Sequence, residues 1–290
     1  MFNSVDELLS ILKLEQLELN LYRGQSPQVG WQRVFGGQVV SQSLVAATHT
    51  VNSQFHVHSL HGNFILPGDP TIPIIYEVER LRDGHSFITR RITAIQHGQA
   101  IFSMSASYQK EEQGYEHQLP MPTGIPTPDT LPNEEEFRTK IVPLMPPEIR
   151  SYFARMRPLD IRPVDPTRYE LKSGHEPYFN CWFKTVAPLP DDPAIHRAVL
   201  AYASDFTLLD SSLVAHGRSV VERSMQAASL DHAVWFHRSF RADEWLLYAQ
   251  DSPSAMGARG FSRGLIYKQD GTLVASVAQE GLIRRRDDRL

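Results

Sequence analysis

Cysteine and net charge are two things that this sequence has little of. The single cysteine, Cys181, excludes an internal disulfide and a cysteine-rich metal site. The formal net charge is −4, from 29 basic and 33 acidic side chains, so no bulk field draws the chain to nucleic acid. Hydrophobic residues make up 41% and charged residues 21%, as in a globular protein rather than a membrane or disordered one. We therefore expect no bound metal, no nucleic-acid partner and no membrane span.

The N-terminal segment lacks the basic start and the apolar run of a signal peptide. Its apolar residues Leu8, Leu9, Leu12 and Leu17 are near helical spacing, and acidic residues lie between them. This pattern predicts an amphipathic helix and a cytoplasmic protein.

An internal repeat divides the chain. Ser59-Leu60 corresponds to Ser229-Leu230, and Ile75-Tyr76 corresponds to Leu247-Tyr248, each about 170 residues further on. The same offset relates Phe87 to Phe261. Because 290 residues exceed the usual size of one domain, the repeat predicts two related units.

Each half combines one apolar helix with strands of period-two alternation joined by glycine turns, which predicts an α+β fold. The helices are expected over residues 35–51 and 196–217. Between the halves, eight prolines from Pro120 to Pro147 indicate a linker. The predicted division is an N-terminal unit over 1–110, a proline-rich linker over 111–168 and a C-terminal unit over 169–290.

The chain resembles the TesB-type acyl-CoA thioesterase II family. The resemblance is carried by motifs along most of the sequence, namely YRGQSP, RVFGGQVVSQSL, LRDGHSFITRR, YASDFTLLDSS, LDHAVWFHRSF, EWLLYAQDSPSAMGARGFSRG and DGTLVASVAQEG. It implies a double hotdog, in which two fused units each wrap an antiparallel sheet around a long helix. It also implies hydrolysis of acyl-CoA thioesters to free fatty acid and CoA, without a cofactor. Since hotdog sheets leave edges and apolar faces that self-association covers, a homo-oligomer, dimer or tetramer, is expected.

Three polar residues of the second half match the family's catalytic positions: Asp205, Ser229 and Gln279. Thioester hydrolysis needs a base that takes a proton from water and groups that hold that water. The resemblance gives Asp205 the role of base, while Ser229 and Gln279 orient the water. Ser229 stands where the family pattern has threonine, so it keeps the hydroxyl but lacks the methyl that restrains its rotamer.

Helical periodicity alone favours a different carboxylate. On a wheel over the second predicted helix, Asp210 lies inside the apolar stripe and Asp205 on its border. The choice of Asp205 therefore depends on the resemblance, and a structural ion pair is the alternative role for either residue.

The first predicted helix, over 35–51, contains no Asp or Glu, so one working site per double unit is expected. Gly36 and Gly37 at its start are candidate substrate-binding residues, because backbone N–H groups at a helix start can hold the thioester carbonyl. Close packing of helix on sheet is the alternative reason for two adjacent glycines.

Other candidates are weaker. Residues 260–264 match the G-x-S-x-G nucleophile elbow, but a hairpin pattern follows where an elbow requires a helix. His58 and His61 are interpreted as hydrogen-bonded wall residues. Arginine clusters that include Arg90, Arg259 and Arg263 are candidates for the CoA phosphates, with none preferred.

A catalytically weak acyl-CoA binding protein and a hotdog enoyl-CoA hydratase are the alternative functions.

Overall fold

The computed structural model describes residues 4–27, 33–144, 150, 157–169, 176–220, 222 and 224–286. Its helices are α1 (Ser4–Leu12), α2 (Gly36–Thr48), α3 (Glu134–Ile141), α4 (Pro193–Ala203) and α5 (Asp210–Val214). Its strands are β1 (Glu15–Glu18), β2 (Leu21–Gly24), β3 (Phe55–Phe64), β4 (Ile74–Asp83), β5 (Phe87–Gln96), β6 (Gln99–Lys110), β7 (Leu159–Pro163), β8 (Tyr178–Thr185), β9 (Met225–Ser229), β10 (Asp231–Phe236), β11 (Leu246–Met256), β12 (Arg259–Lys268) and β13 (Leu273–Arg285). Within these residues, no helix has the length and apolar character to cross a membrane.

The strands form one antiparallel sheet in the order β1-β2-β4-β5-β6-β3-β10-β13-β12-β11-β8-β7, and β9 also pairs with β13. The order is mirrored about its centre: β3, β6, β5 and β4 of the first half correspond to β10, β13, β12 and β11 of the second. This mirrored order is the structural form of the sequence repeat. The α+β double-hotdog prediction is confirmed, since each half of the sheet curves around one helical layer.

The two halves join where β3 pairs with β10. The pairing runs from Asn63 opposite Asp231 to Ser59 opposite Trp235, with the same antiparallel hydrogen bonding as elsewhere in the sheet. The halves therefore share a continuous sheet and a common core.

The main core lies on the inner face of this sheet. It contains buried apolar side chains of α1, α2, α4 and the inward positions of the strands, among them Leu8, Val40, Leu44, Val199 and Leu200. Helix α2 packs against both α4 and the strands of its own half. Alternating burial along β5 and β12 shows which positions face this layer.

The second helix differs from its prediction. A single helix over 196–217 is wrong, because α4 ends at Ala203 and α5 begins at Asp210. Tyr248 donates its hydroxyl to the Ser204 carbonyl at 2.9 Å, directly after the end of α4. The Ser204 hydroxyl lies within hydrogen-bond distance of both the Ala201 carbonyl, at 3.0 Å, and His232 Nε2, at 2.8 Å.

A smaller cluster lies on the outer face of the second half, around Trp182, Trp245, Leu247 and Tyr267. Linker side chains cover it, including Met121, Ile125 and Leu131. The Trp182 Nε1–H donates to the Pro126 carbonyl at 2.9 Å. We call residues 118–131 the strap. Further along, β7 lies inside the stretch that the sequence predicts to be linker, and it extends the sheet beside β8.

Candidate active site

Asp205 lies in the turn between α4 and α5, directly after the helix rather than on it. This turn faces the start of α2, and the Gly37 N–H donates to Asp205 Oδ2 at 2.8 Å. The N-terminal end of a helix carries partial positive charge, which favours an ionised carboxylate there. A residue of the second half is therefore held by the helix of the first.

Ser229 reaches the same carboxyl because its strand is interrupted. The partner of β13 changes from β9, where Ser229 faces Gly281, to β10, where Ala233 faces Ala278. Asp231 holds this change of strand by accepting the Glu280 N–H at 2.6 Å. The interruption places Ser229 Oγ 3.4 Å from Asp205 Oδ1.

Gln279 completes the group from an inward position of β13, where it is 1% exposed. Its Nε2 donates to Ser229 Oγ at 2.7 Å. The three residues predicted from the resemblance, which are far apart in sequence, thus form one hydrogen-bonded chain that ends at the Asp205 carboxyl. We call Gln279, Ser229 and Asp205 the polar chain.

Burial raises the pKa of Asp205 to about 7. The Gly37 N–H, the Ser229 hydroxyl and the Gln279 amide oppose this rise, since each favours the ionised form. The carboxyl therefore changes its charge near neutral pH, as a general base working at that pH requires.

Asp210, favoured by helical periodicity, has the same pKa but different surroundings. Burial raises its pKa to about 7, and the Val220 backbone N–H and the charge of Arg157 oppose the rise. Asp210 starts α5, whereas the hydrogen bonds from Ser229 and Gly37 go to Asp205. Geometry, rather than pKa, distinguishes the two carboxylates.

Gly36 and Gly37 are required by close approach. A Cβ on Gly36 would lie 2.6 Å from Asp205 Oδ2, and a Cβ on Gly37 would lie 2.4 Å from the Tyr202 carbonyl oxygen. Any side chain here would displace the carboxyl or separate α2 from α4. In this structure the Gly37 N–H is bonded to Asp205.

Aromatic rings surround the carboxyl. The ring centroid of Phe35 lies 5.1 Å from that of Tyr202 and 4.6 Å from that of Phe206. Phe64 contacts the Gly36 position and packs against Phe102 at 4.9 Å. These rings limit water around Asp205, which accounts for the burial that shifts its pKa.

His232 is the residue of this site that the sequence analysis missed. It lies on the inward face of β10 and is 1% exposed. Its Nδ1 is 2.6 Å from Gln279 Oε1, and its Nε2 is 2.8 Å from Ser204 Oγ. The sequence repeat contained a signal for this residue. His232 aligns with Gly62 at the same offset that relates Ser229 to Ser59, so the second half has a histidine where the first has a glycine.

The G-x-S-x-G motif lies within strand β12, so it does not form a nucleophile elbow. Its glycines serve packing: a Cβ on Gly260 would lie 2.5 Å from Ser212 Oγ, and one on Gly264 would lie 2.1 Å from the Tyr248 ring. Ser262, between them, faces inward opposite Gln279 on β13.

The remaining candidates lie elsewhere. His58 Nε2 bonds Ser107 Oγ at 2.9 Å, as expected for a wall residue. Arg90 is buried and paired with Asp83. Arg259 and Arg263 form ion pairs with Glu280 at 3.0 Å and Asp251 at 2.7 Å, respectively.

Family models of acyl-CoA thioesterases match both halves of the chain. A family model described as acyl-CoA thioesterase matches residues 152–282, and one described as acyl-CoA thioesterase N-terminal domain matches residues 23–109. The chain is 39% identical over 290 residues to acyl-CoA thioesterase 2 of Haemophilus influenzae, covering 98% of this chain and 99% of that one. It is 39% identical over 285 residues to human acyl-coenzyme A thioesterase 8, covering 95% and 88%.

Solved structures agree with these relatives. The acyl-CoA thioesterase II TesB2 of Mycobacterium marinum is 46% identical, with a TM-score of 0.77 and coverage of 95% of this chain and 97% of that one. The tesB protein of Mycobacterium avium subs paratuberculosis is 27% identical, with a TM-score of 0.80 and coverage of 97% and 100%. The likeness spans both halves of the sheet.

Proposed function

Since the chain belongs to the acyl-CoA thioesterase family, we propose that it hydrolyses acyl-CoA thioesters to the free fatty acid and CoA with Asp205 as the general base. One observation carries this assignment. The Gly37 N–H and the Ser229 hydroxyl both donate to the Asp205 carboxyl, and the Gln279 amide donates to that hydroxyl. A carboxyl with a pKa of about 7 is half ionised at neutral pH and gains driving force for proton transfer from its raised basicity.

The reaction uses this chain of bonds in two stages. Asp205 takes a proton from a water molecule held beside Ser229, and the water oxygen attacks the thioester carbonyl carbon. The tetrahedral intermediate then collapses as the carbon–sulfur bond breaks and CoA leaves as the thiolate. The proton on Asp205 passes to that sulfur, so the carboxylate is regenerated for the next turnover.

The start of α2 supports the substrate-binding role of Gly36. The Gly37 N–H already donates to Asp205 Oδ2, so Gly37 contributes by holding the base. The helix start carries N–H groups and the positive end of the helix dipole beside Asp205, where an oxygen that gains negative charge is stabilised. A thioester carbonyl held there lies next to the water that Asp205 activates.

The hydratase alternative requires a histidine that faces the substrate together with the aspartate. Among the described residues around the site, His232 has both ring nitrogens bonded, to Gln279 and to Ser204. It lies behind the polar chain rather than beside the Asp205 carboxyl. The geometry therefore favours hydrolysis by activated water.

Three further expectations from the sequence, on domain bounds, cellular location and oligomeric state, belong to the same proposal. These are hotdog units over 1–110 and 169–290 joined by the linker 111–168, a cytoplasmic location and a homo-oligomer, dimer or tetramer. They are tested by separate expression of the two units, by fractionation of cells and by light scattering of the purified protein.

The decisive test is release of CoA thiol from a series of acyl-CoA chain lengths by the unaltered protein and by Asp205→Asn. Asparagine keeps the shape of the side chain but cannot take a proton, so a loss of about 10²-fold or more in kcat is expected. Asp210→Asn is the matched control, because its carboxyl has the same pKa and lies outside the polar chain. Full activity in Asp205→Asn would remove the base assignment, and no turnover of any chain length by the unaltered protein would favour a binding protein.

A further inference from the structure

One buried titratable group has no role in the reaction as described. His232 lies behind Gln279, and each of its ring nitrogens is within hydrogen-bond distance of one partner. Burial lowers its pKa to about 4, so the ring is neutral at neutral pH and carries one proton. The position of that proton determines what His232 can do to Gln279.

The Gln279 amide has two different ends, and they serve different neighbours. Its oxygen faces His232 Nδ1 at 2.6 Å, and its nitrogen faces Ser229 Oγ at 2.7 Å. A rotation of the amide by half a turn would exchange a donor for an acceptor at both contacts. When the amide nitrogen faces Ser229, it donates to the hydroxyl oxygen, and the hydroxyl proton stays available for Asp205. When the amide oxygen faces Ser229, it accepts that proton instead.

Two patterns of protons satisfy the contacts around the ring. In one, the Ser204 hydroxyl donates to Nε2 instead of to the Ala201 carbonyl, so Nδ1–H donates to the Gln279 oxygen. In the other, Nε2–H donates to Ser204, which donates to the Ala201 carbonyl, and Nδ1 accepts from a rotated Gln279 amide. The tautomer of His232 and the direction of the Gln279 amide are therefore coupled.

The carboxylate selects between these patterns. Gln279 Nε2 lies 2.7 Å from Ser229 Oγ, so an N–H rather than the amide oxygen is directed toward the side of the ionised carboxylate. A rotated amide would direct an oxygen at that charge and would draw the Ser229 proton away from it. The active direction of the polar chain thus requires a proton on His232 Nδ1.

We propose that His232 is a positioning residue for the hydrolysis, in which Nδ1–H holds the Gln279 amide with its nitrogen toward Ser229 and so fixes the donor direction of the polar chain toward Asp205. This inference deepens the proposed function and rests on it. His232 touches neither water nor thioester, and its effect reaches the reaction only through Gln279.

The first test reads the tautomer directly. In the full-length protein with ¹⁵N-labelled histidine, two-bond ¹⁵N–¹H correlation spectra distinguish Nδ1–H from Nε2–H imidazole, and His232→Asn assigns the signal. The expected result is neutral Nδ1–H. An Nε2–H tautomer, or an imidazolium at neutral pH, would overturn the proposal whatever the kinetics show.

The second test is kinetic. His232→Leu is expected to lower kcat about 10- to 100-fold with KM nearly unchanged, because the interaction acts in the transition state. His232→Asn, whose amide nitrogen can occupy the place of Nδ1, should stay within about threefold of the unaltered kcat. In a Gln279→Ala background, His232→Leu should cause no further loss. An undiminished kcat in His232→Leu, or an equal loss in the Gln279→Ala background, would contradict the inference.

The matched control is His237→Leu. His237 lies just beyond the end of β10, and its Nε2 bonds Ser276 Oγ at 2.8 Å, but it is far more exposed and outside the polar chain. Its replacement should leave kcat unchanged. If His232→Leu does not fold, the tautomer measurement alone tests the proposal.

Failure of this inference can be told apart from failure of the proposed function by measuring Asp205→Asn alongside. An active Asp205→Asn would refute the base assignment itself. An inactive Asp205→Asn together with a fully active His232→Leu would refute only the role of His232.

Discussion

The two halves of the molecule share a strand order, yet they use the centre of their inner face differently. In the first half, Gln42 of α2 accepts from the Tyr76 hydroxyl at 2.6 Å and donates to the Ile11 carbonyl at 2.6 Å. In the second half, the repeat partner of Tyr76 is Tyr248, which bonds the Ser204 carbonyl just after α4 ends. Tyr76 therefore bonds a side chain of an intact helix, whereas Tyr248 bonds the backbone just after a helix that has ended.

The strands show the same contrast. β3 runs without a break through Ser59 and Leu60, whereas its counterpart divides into β9 and β10 at Leu230, the repeat partner of Leu60. In the second half, both the helix and the strand that faces it are interrupted, and Asp205 and Ser229 lie at the two interruptions. The comparison teaches that this site is produced by local departures from a regular hotdog unit.

The largest effect is expected at the contact that joins the halves. Gly36→Ala places a methyl group 2.6 Å from Asp205 Oδ2, too close for the carboxyl to stay in place, and should reduce kcat about 10²-fold or more, since displacement of a reacting group by about 1 Å can have this effect. Gly24→Ala is the matched change in the first half, because its Cβ would lie 2.9 Å from the Gln42 amide, which is outside the polar chain, so it should affect stability rather than turnover. Steady-state CoA release per folded molecule should be preserved in Gly24→Ala. Equal losses in both variants would mean that the halves respond alike.

The next effect compares two serines related by the repeat. Ser229→Ala removes the hydroxyl between Gln279 and Asp205 and should lower kcat about 10- to 100-fold. Ser59→Ala removes the equivalent hydroxyl of the unbroken strand and should leave kcat within about twofold. Turnover by both variants under saturating substrate measures the difference. A comparable loss in Ser59→Ala would break the asymmetry.

The pH dependence should also single out one carboxylate. Because the pKa of Asp205 is raised to about 7, the base is protonated below that value, and kcat/KM should fall about tenfold per pH unit as the pH drops below 7. Asp210→Asn should keep this fall, although Asp210 titrates in the same range. A flat profile in Asp210→Asn would transfer the role to that residue.

The smallest effect is on stability and has opposite signs in the two halves. The folded pKa of Asp205 exceeds its value of 3.8 in an unfolded chain, so its charge opposes folding increasingly from about pH 4 to about pH 7. The shift corresponds to about 4 kcal/mol at pH 8, and asparagine weakens the bonds from Gly37 and Ser229. Asp205→Asn should therefore increase the free energy of unfolding at pH 8 by roughly 2 to 4 kcal/mol, with no gain at pH 4. Gln42→Leu should instead decrease it by about 2 kcal/mol, since the Tyr76 hydroxyl and the Ile11 carbonyl lose their partner. Urea unfolding at both pH values measures these changes.

Much of the fold could be predicted from the sequence because the repeat keeps its register. Equivalent turns follow Gln96 and Gln269, and Gly98 and Gly271 both have positive φ, of 71° and 86°. The break in the second helix could not be predicted, because Phe206 and Leu208 continue the apolar pattern through the turn and no glycine or proline marks it. At that break the Ser204 carbonyl accepts from the Tyr248 hydroxyl, and Tyr248 is more than 40 positions away in the sequence.

The candidate site was predictable only in part, for a related reason. The resemblance indicated Asp205, Ser229 and Gln279, but helical periodicity favoured Asp210 since it assumed an unbroken helix. Neither the resemblance nor the periodicity predicted His232. Its proposed role depends on two partners, Ser204 and Gln279, that only the folded protein brings to the ring. A comparison of the two repeats position by position, rather than of each with a family pattern, would have shown a histidine in place of a glycine.

The pairing of β3 with β10 also bears on how such a molecule can originate. A single unit, encoded on its own, would end in an open strand edge at the position of β3, and the simplest way to cover it is the same strand of a second copy related by twofold symmetry. Two identical copies must carry identical residues at both active positions. Fusion of the two coding sequences removes that obligation, because the two halves stay neighbours and can carry different residues, such as Asp205 in the second half and Gln38 and Gln42 in the first.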